Sequence, residues 1–418
     1  MNTSASIWLL AAMAVVFPCA AVLAPKGIAP LLAIAAVGGL VGAAVQGSVP
    51  ALPRRFAVGL LAFAAFGALS ALWSLTPEQS LWASVPLASI FLGAGLLIGS
   101  AARLDGADRR NIHTAILIGG CVYLVLLVVE LALDRPIFRA ALALTGKPFP
   151  PDTLLKISKS SVAMMALYAW PWVLVLRHRF SRSLAFAAGI GVLGFLAVMF
   201  FMAKIETPFI AFGLGGAVFF LARRFGRIMG PLLSAVIVAG MLGAPWIPGM
   251  LPDPLVPSDK LLHMSNSAKH RIQIWQTTAE HISERLWVGH GLDTARALYP
   301  PDTRIELVFR DANLRHIGGG NSEPIPLHPH NMILQIWLET GLAGALLVLA
   351  ALLAVVRALH VSPLQKTERA AGYGFLVTAL FIASISYGAW QAWWLCALAL
   401  NATLMIAAFS RPPIRPTG

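Results

Sequence analysis

Charged side chains are scarce in this sequence of 418 residues, in which 12% of positions are Asp, Glu, Lys or Arg and 58% are hydrophobic. Soluble domains carry about 25% charged residues, and a chain with so few cannot bury all its apolar surface in a water-soluble core. The composition therefore excludes an ordinary soluble protein. Apolar runs of about 18 or more residues recur along the chain, and runs of that length are typical of membrane-spanning helices.

Cysteine is nearly absent as well. Cys19, Cys121 and Cys396 are far apart in the chain, and each lies within an apolar segment. Isolated cysteines in such surroundings are typical of small core side chains, and they predict no disulfide framework.

Signatures of cofactor chemistry are also missing. The sequence has no Asp-x-Asp pair to hold a divalent cation beside a diphosphate, no P-loop, no dinucleotide-binding glycine motif and no nucleophile elbow. We therefore predict no metal, no cofactor and no nucleic-acid partner. A zinc site of His281, His290, His328 and His330 is a minor alternative, because their spacing matches no standard zinc motif.

About 12 apolar segments are predicted to cross a membrane. They lie near residues 7–24, 28–46, 55–73, 82–100, 112–133, 160–177, 183–202, 206–222, 228–247, 331–357, 370–388 and 391–409. The predicted fold is an all-α polytopic membrane protein. Residues 1–247 hold predicted helices 1–9, residues 248–330 form a large and partly helical loop, and residues 331–418 hold helices 10–12.

The formal net charge is +13, and its distribution predicts an orientation. With the N-terminus in the cytoplasm, about half of the Lys and Arg residues fall in short cytoplasmic loops, as the positive-inside rule requires. Most others gather in two long loops on the opposite side, between Arg135 and Lys159 and between Lys260 and Arg315. We predict a multi-pass protein of the bacterial inner membrane in contact with membrane lipids. Its periplasmic loops either form a cationic chamber for an anionic headgroup or carry merely solvated charges.

The most informative segment is 328–341, which reads His-Pro-His-Asn-Met-Ile-Leu-Gln-Ile-Trp-Leu-Glu-Thr-Gly. Asn331, Gln335 and Glu339 are four residues apart and share one helix face. His330 stands where the long loop meets this helix, and a neutral imidazole there is a candidate general base near pH 7. Glu339 either has a function at that depth or ties neighbouring helices together.

A second segment, 268–292, has apolar residues at helical spacing, which predicts an amphipathic helix within the long loop. These residues are Ile272, Trp275, Ala279, Ile282 and Leu286. We place Arg271 at the start of this helix, where backbone N–H groups favour an anion. The Gly-His-Gly at 289–291 predicts a turn after the helix, and the three glycines at 318–320 predict a mobile loop tip.

These two segments, late in a polytopic chain, resemble the O-antigen ligase and polymerase superfamily. The resemblance lies in an Arg and a Trp, a Gly-His-Gly-Leu turn, a His-x-His-Asn segment, a Leu-Gln pair and a Glu-x-Gly. Here these are Arg271, Trp275, residues 289–292, residues 328–331, Leu334 with Gln335, and residues 339–341. It implies a GT-C-like membrane glycosyltransferase that uses an undecaprenyl-diphosphate-linked O-antigen at the periplasmic face.

Within this resemblance the ligase is favoured, with a sugar hydroxyl of lipid A–core as the acceptor. His330 and Arg271 are then the predicted catalytic residues, and Lys204, His328 and Lys159 are the predicted substrate-binding residues. The family usually has an Arg where this chain has Lys204, and a lysine meets a phosphate as a point charge without the bidentate fork of arginine. The implied mechanism is metal-independent and inverts the anomeric carbon.

Three alternatives remain open. An O-antigen polymerase would use the same donor and a second lipid-linked glycan as acceptor, and a protein O-oligosaccharyltransferase belongs to the same superfamily. A secondary transporter is the alternative from another class. Transporters usually place charged groups near the bilayer midplane at a repeat interface, whereas here the charge lies in the long loops and no repeat is visible.

Overall fold

The computed structural model describes residues 5–45, 54–143, 151–203 and 205–410, and these are mostly helical. The helices are α1 (Ala5–Leu23), α2 (Ile28–Val45), α3 (Arg54–Leu69), α4 (Pro77–Ala102), α5 (Gly106–Ala132), α6 (Pro136–Ala143), α7 (Pro151–Arg179), α8 (Arg182–Ala203), α9 (Glu206–Arg224), α10 (Gly226–Gly243), α11 (Asn266–Glu284), α12 (Met332–Val361), α13 (Lys366–Ile385) and α14 (Ala392–Ala408).

Within the described ranges, 8 helical segments are long and apolar enough to cross a membrane, and 3 shorter helices are also apolar. Each predicted transmembrane segment coincides with one helix, so the chain is an all-α polytopic membrane protein as predicted. Large apolar side chains on the outside of the bundle are left exposed, for example Val125, Phe186 and Val236. Such a surface is stable against lipid rather than water.

Helix α12 is interrupted at Gly341, whose φ of 57° and ψ of −160° are not helical. The stretch from Gly341 to Val361 is about 30 Å long at 1.5 Å per residue, which matches the hydrocarbon thickness of a bilayer. The preceding part of α12, from Met332, extends beyond that length. Its face with Gln335 and Glu339 lies against the connection between α10 and α12, where Asp293 and Ala295 donate to Glu339.

The α10–α12 connection contains α11 and a two-stranded antiparallel sheet, β1 (Ile305–Arg310) and β2 (His316–Ser322). The prediction of a mobile loop tip at 318–320 is wrong, because Gly318, Gly319 and Gly320 lie in β2 and pair with β1. A Cβ at Gly319 would collide with the Leu307 carbonyl, and one at Gly318 with the Asn266 side chain. Glycine is therefore required here for close packing.

Helix α13 packs along α9, and α1 packs along α5. Trp170 of α7 packs against the α9–α13 pair, since its Nε1–H donates to Thr378 Oγ1 at 3.0 Å and its ring lies 5.4 Å from that of Phe212. The α3–α4 connection contacts the long connection, where the Leu292 N–H donates to Ser70 Oγ at 2.9 Å. The α10–α12 connection is therefore held against the bundle.

Candidate functional site

His330 lies immediately before the helix that it was predicted to precede. Asn331 caps α12, and its Oδ1 accepts the backbone N–H groups of Ile333 and Leu334 at 3.0 and 3.1 Å. His330 itself has a φ of 55°, in the left-handed region that residues with a Cβ rarely adopt. Its backbone N–H donates to Nδ1 of His328 at 3.0 Å. The surrounding contacts thus hold His330 in an unfavourable backbone conformation.

The imidazole of His330 is oriented by a second bond. Its Nδ1 lies 3.2 Å from the Ser386 carbonyl, which can only accept, so the ring proton is on Nδ1 and Nε2 carries the free lone pair. Burial lowers the pKa of His330 to about 4, against the raising effect of the Ser386 bond, and nearby Arg271, His270 and Lys159 lower it further. At neutral pH the ring is uncharged and Nε2 is able to accept a proton.

His328 stands beside this residue, with 4.4 Å between the two ring centroids. It is 9% exposed, and burial together with the positive charge of its neighbours lowers its pKa to about 3. Its Nδ1 accepts from the His330 backbone, and its Nε2 lies 2.9 Å from the side-chain amide of Gln391. Both ring nitrogens therefore contact protein groups, and its binding of substrate stays a prediction.

The prediction that Arg271 lies at the start of the helix is wrong, because Arg271 lies in the second turn of α11. The helix begins at Asn266, and Ser265 caps it by accepting the Ala268 N–H at 3.2 Å. Arg271 therefore contributes its side chain rather than a helix N-terminus. Among the described residues its guanidinium has no hydrogen-bond or ion-pair partner. Burial lowers its pKa, and Glu206 lies close enough to oppose that shift.

Lys159 lies within α7, and its backbone carbonyl accepts the hydroxyl of Tyr387 at 3.3 Å. Tyr387 follows Ser386, whose carbonyl bonds His330, so Lys159 lies close to His330. The charges of Lys159 and Arg271 both lower the pKa of His330. The structure thus brings Lys159, Arg271, His328 and His330 together. Lys204 lies outside the described residues.

Trp275 connects the two predicted segments directly. Its Nε1–H donates to the Pro329 carbonyl at 3.0 Å, between the two histidines. The apolar face of α11 includes the buried Ile272 and Ile282, and the helix packs on α12. Arg271, one turn before Trp275, is consequently fixed relative to His330.

The Gly-His-Gly-Leu and Glu-x-Gly motifs interlock. His290 and Gly291 donate their N–H groups to the Leu338 and Glu339 carbonyls at 2.9 Å each. On the other side of the helix interruption, the Leu342 N–H donates to Leu286 and the Ala343 N–H to Trp287. Side chains at Gly289 or Gly341 would collide with the facing backbone. Glycine is therefore needed at these two positions, because the two backbone segments contact each other directly there.

Glu339 is fully buried and accepts several donors. Its carboxylate accepts Gln335 Nε2–H at 2.9 Å, Trp390 Nε1–H, and the backbone N–H groups of Asp293 and Ala295. A buried carboxylate so fully bonded stabilises the contact among three chain segments. These bonds support the interpretation that Glu339 ties neighbouring elements together.

The connection between α13 and α14, residues 386–391, was missed by the sequence reasoning. It bonds His330 through Ser386, Gln335 through the Ala389 N–H at 2.7 Å, Glu339 through Trp390, and His328 through Gln391. We call it the 386–391 loop. The only signal in the sequence is a short polar and aromatic interruption between two apolar segments.

The four-histidine zinc site is not formed. All four histidines are described, and among the described residues no three His, Cys, Asp or Glu side chains converge on a metal position. His281 Nε2 instead lies 2.9 Å from the Tyr299 hydroxyl, and His290 Nε2 donates to the His281 carbonyl at 2.9 Å. These two histidines stabilise the end of α11.

Comparison with known proteins adds independent evidence. Residues 154–349, which contain all five predicted site residues, match the model of a family described as O-antigen ligase. A Rickettsia conorii protein, provisionally named a polysaccharide ligase, is 28% identical over 334 residues, covering 80% of this chain and 75% of its own. A Rickettsia felis protein of the same name is 26% identical over 335 residues, covering 80% and 76%. One from Rickettsia typhi is 30% identical over 233 residues, covering 56% and 54%.

The matched region coincides with the motifs that build the site, and the relatives extend the similarity over most of the membrane bundle. Both findings agree with a glycosyltransferase of the ligase or polymerase type. The family model, which matches residues 154–349, and the relatives, which match 80% of the chain, support membership of this multi-pass membrane protein in the O-antigen ligase superfamily.

Proposed function

We propose that this protein transfers O-antigen polysaccharide from undecaprenyl diphosphate to a sugar hydroxyl of lipid A–core. The observation that carries the proposal is a neutral His330 with a free Nε2 beside two cationic side chains, Arg271 and Lys159. A base and an anion-binding site, side by side, are what this transfer needs.

The donor diphosphate would bind the cations. The Arg271 guanidinium has five N–H donors and no described protein partner, so it can form two parallel bonds to a phosphate. Lys159 would add a second charge, and Lys204 a third. These charges would neutralise the leaving diphosphate, which gives a route to transfer without a metal ion.

The reaction is a single displacement. Nε2 of His330 takes the proton of the acceptor hydroxyl, whose oxygen forms a bond to the anomeric carbon as the bond from that carbon to the diphosphate oxygen breaks. The electron pair leaves with undecaprenyl diphosphate. Attack opposite the leaving group inverts the anomeric configuration.

The site would face the periplasm of a bacterial inner membrane. Helix α9 begins at Glu206, near Arg271, and the first half of α7 carries Lys159. Both helices end in basic residues at the other end of the bundle, namely Arg177, Arg179, Arg223 and Arg224. The positive-inside rule assigns that end to the cytoplasm. A cysteine introduced at Asp302 should react with a membrane-impermeant thiol reagent in spheroplasts, and one at Arg223 should not. The reverse pattern would refute this orientation.

Gene deletion tests the activity. A strain that lacks the ligase should accumulate polymerised glycan on undecaprenyl diphosphate and make lipopolysaccharide without O-antigen. Lipid A–core that carries a single repeat unit would instead identify the protein as the polymerase. Unchanged lipopolysaccharide would refute both activities.

A further inference from the structure

We propose that His328 and Gln391 are positioning residues that hold the catalytic histidine, His330, in its reactive geometry. The inference rests on the proposed function. It assigns to His328 a role other than substrate binding, and it gives the 386–391 loop a part in the reaction.

The backbone of His330 depends on its neighbours for its conformation. Its φ of 55° is costly for a residue with a Cβ, and such conformations persist only where neighbouring contacts impose them. The bond from its N–H to His328 Nδ1 is one such contact, and the Asn331 cap on the next residue is another. If His328 were absent, the N–H would lose this acceptor and the conformation would lose support.

The tautomer of His328 follows from the contacts of its two ring nitrogens. Since Nδ1 accepts, the neutral ring carries its proton on Nε2, and a buried Nε2–H needs an acceptor. The side-chain amide of Gln391 lies 2.9 Å away. With its nitrogen toward His328, Gln391 would set its own N–H donors against the Nε2–H donor of the ring, and the other end of the amide has no partner among the described residues in either orientation. The amide oxygen and nitrogen are nearly isosteric, so we place Oε1 toward the ring, where it accepts from Nε2–H.

These hydrogen bonds connect Gln391 to His330 through His328. Gln391 selects the tautomer of His328, this tautomer accepts the His330 N–H, and Ser386 of the same loop orients the His330 ring. Both ends of the 386–391 loop therefore act on His330. Because His328 is 9% exposed with both nitrogens engaged, it has no free group to offer a ligand.

Substitutions at Gln391 test the inference. Gln391→Met keeps the length of the side chain and removes the acceptor, whereas Gln391→Glu keeps an acceptor. We expect Gln391→Met to lower kcat about tenfold, the effect of losing one hydrogen bond, with little change in KM, and Gln391→Glu to restore most of the activity. The substrate is lipid-linked glycan isolated from the deletion strain. Gln276→Met is the matched control, because among the described residues Gln276 bonds only the Pro248 and Leu251 carbonyls, away from the histidines.

The pH profile separates positioning from folding. Loss of folded protein would lower the rate equally at all pH values. A misplaced His330 would also move the acid limb of kcat/KM, because its bond to Ser386 and its surroundings would change. An unmoved acid limb and an unchanged kcat in Gln391→Met would overturn the inference.

A second readout does not depend on activity. In protein with ¹⁵N-labelled histidine, the nitrogen shifts report the tautomer of each ring, and the His328→Ala and His330→Ala variants assign the signals. We expect an Nε2–H tautomer for His328, an Nδ1–H tautomer for His330, and a changed His328 signal in Gln391→Met. An Nδ1–H tautomer for His328 would overturn the inference. Wild-type protein without transfer activity would refute the proposed function instead, and the tautomers would still decide this arrangement.

Discussion

The two ends of the helical bundle use arginine in opposite ways. At the end away from the candidate site, Arg109 is 5% exposed and donates to the carbonyls of Ile406, Ala407 and Phe409, where α14 ends. At the end that holds the candidate site, Arg271 has no such partner among the described residues. A guanidinium bonded to a helix terminus is structural, whereas one with unused donors in a partly buried site is available to a ligand.

The acidic residues repeat this contrast. At the far end, the buried Glu368 accepts the N–H groups of Gln365 and Ser410 and lies 3.2 Å from Nε2 of His178. Near the candidate site, the Glu339 carboxylate also accepts hydrogen bonds from several donors. We therefore interpret Glu339, like Glu368, as a structural residue, although it lies among the motif residues. Burial and charge are therefore common to the structural groups and the candidate site, and Arg271 differs from the structural groups in its unused hydrogen-bond donors.

The largest effect is expected at His330. A positioned base contributes about 10²–10⁴-fold to rate, so His330→Ala should nearly abolish transfer while the protein remains folded. Transfer by purified protein and its thermal denaturation in detergent are the measurements. His263→Ala, at an exposed histidine of the same connection, is the control. Near-normal transfer by His330→Ala would end its assignment as the base.

The two arginines should respond differently to the same substitution. Arg271→Lys removes the bidentate bonds to a diphosphate and should lower transfer roughly 10–100-fold with little loss of stability. Arg109→Lys leaves buried carbonyls without donors, at a cost of about 1–3 kcal/mol in folding free energy, with little change in transfer per folded molecule. Equal effects of the two variants on stability would contradict the contrast between the ends.

The pH dependence should be displaced toward acid. Because burial holds the pKa of His330 at about 4, the base is unprotonated in free enzyme above that value, and kcat/KM should fall only well below pH 6.5. A bound diphosphate stabilises the imidazolium and raises its pKa, so the acid limb of kcat should lie at higher pH than that of kcat/KM. Profiles measured from pH 4 to 8 would reveal an acid limb of kcat/KM near 6.5 if this reasoning is wrong.

The smallest effect is expected from chelation. If Arg271 and Lys159 neutralise the leaving group, EDTA should leave transfer by purified protein unchanged. Loss of activity that Mg²⁺, Mn²⁺ or Zn²⁺ restores would show that a metal takes over part of this role.

The sequence predicted the membrane bundle, since long apolar runs are local signals, and its histidine and arginine motifs indicated side chains that lie near one another in the structure. It could not predict contacts between distant segments. The 318–320 glycines form a strand only because Leu307 lies opposite, and Arg271 is one turn deeper in α11 because Ser265 caps it earlier. The 386–391 loop has almost no motif of its own, because its role consists in bonds to residues more than fifty positions away.

The interlock at Gly341 has a consequence for protein engineering. Backbone bonds join residues 286–291 to residues 338–343 across the helix interruption, so neither segment has its hydrogen-bonding partners without the other. A chimaera that exchanges the long connection between members of the superfamily should therefore carry both segments from one parent. A crossover placed between them would combine two segments from different proteins, whose backbone N–H and carbonyl groups need not meet in these hydrogen bonds.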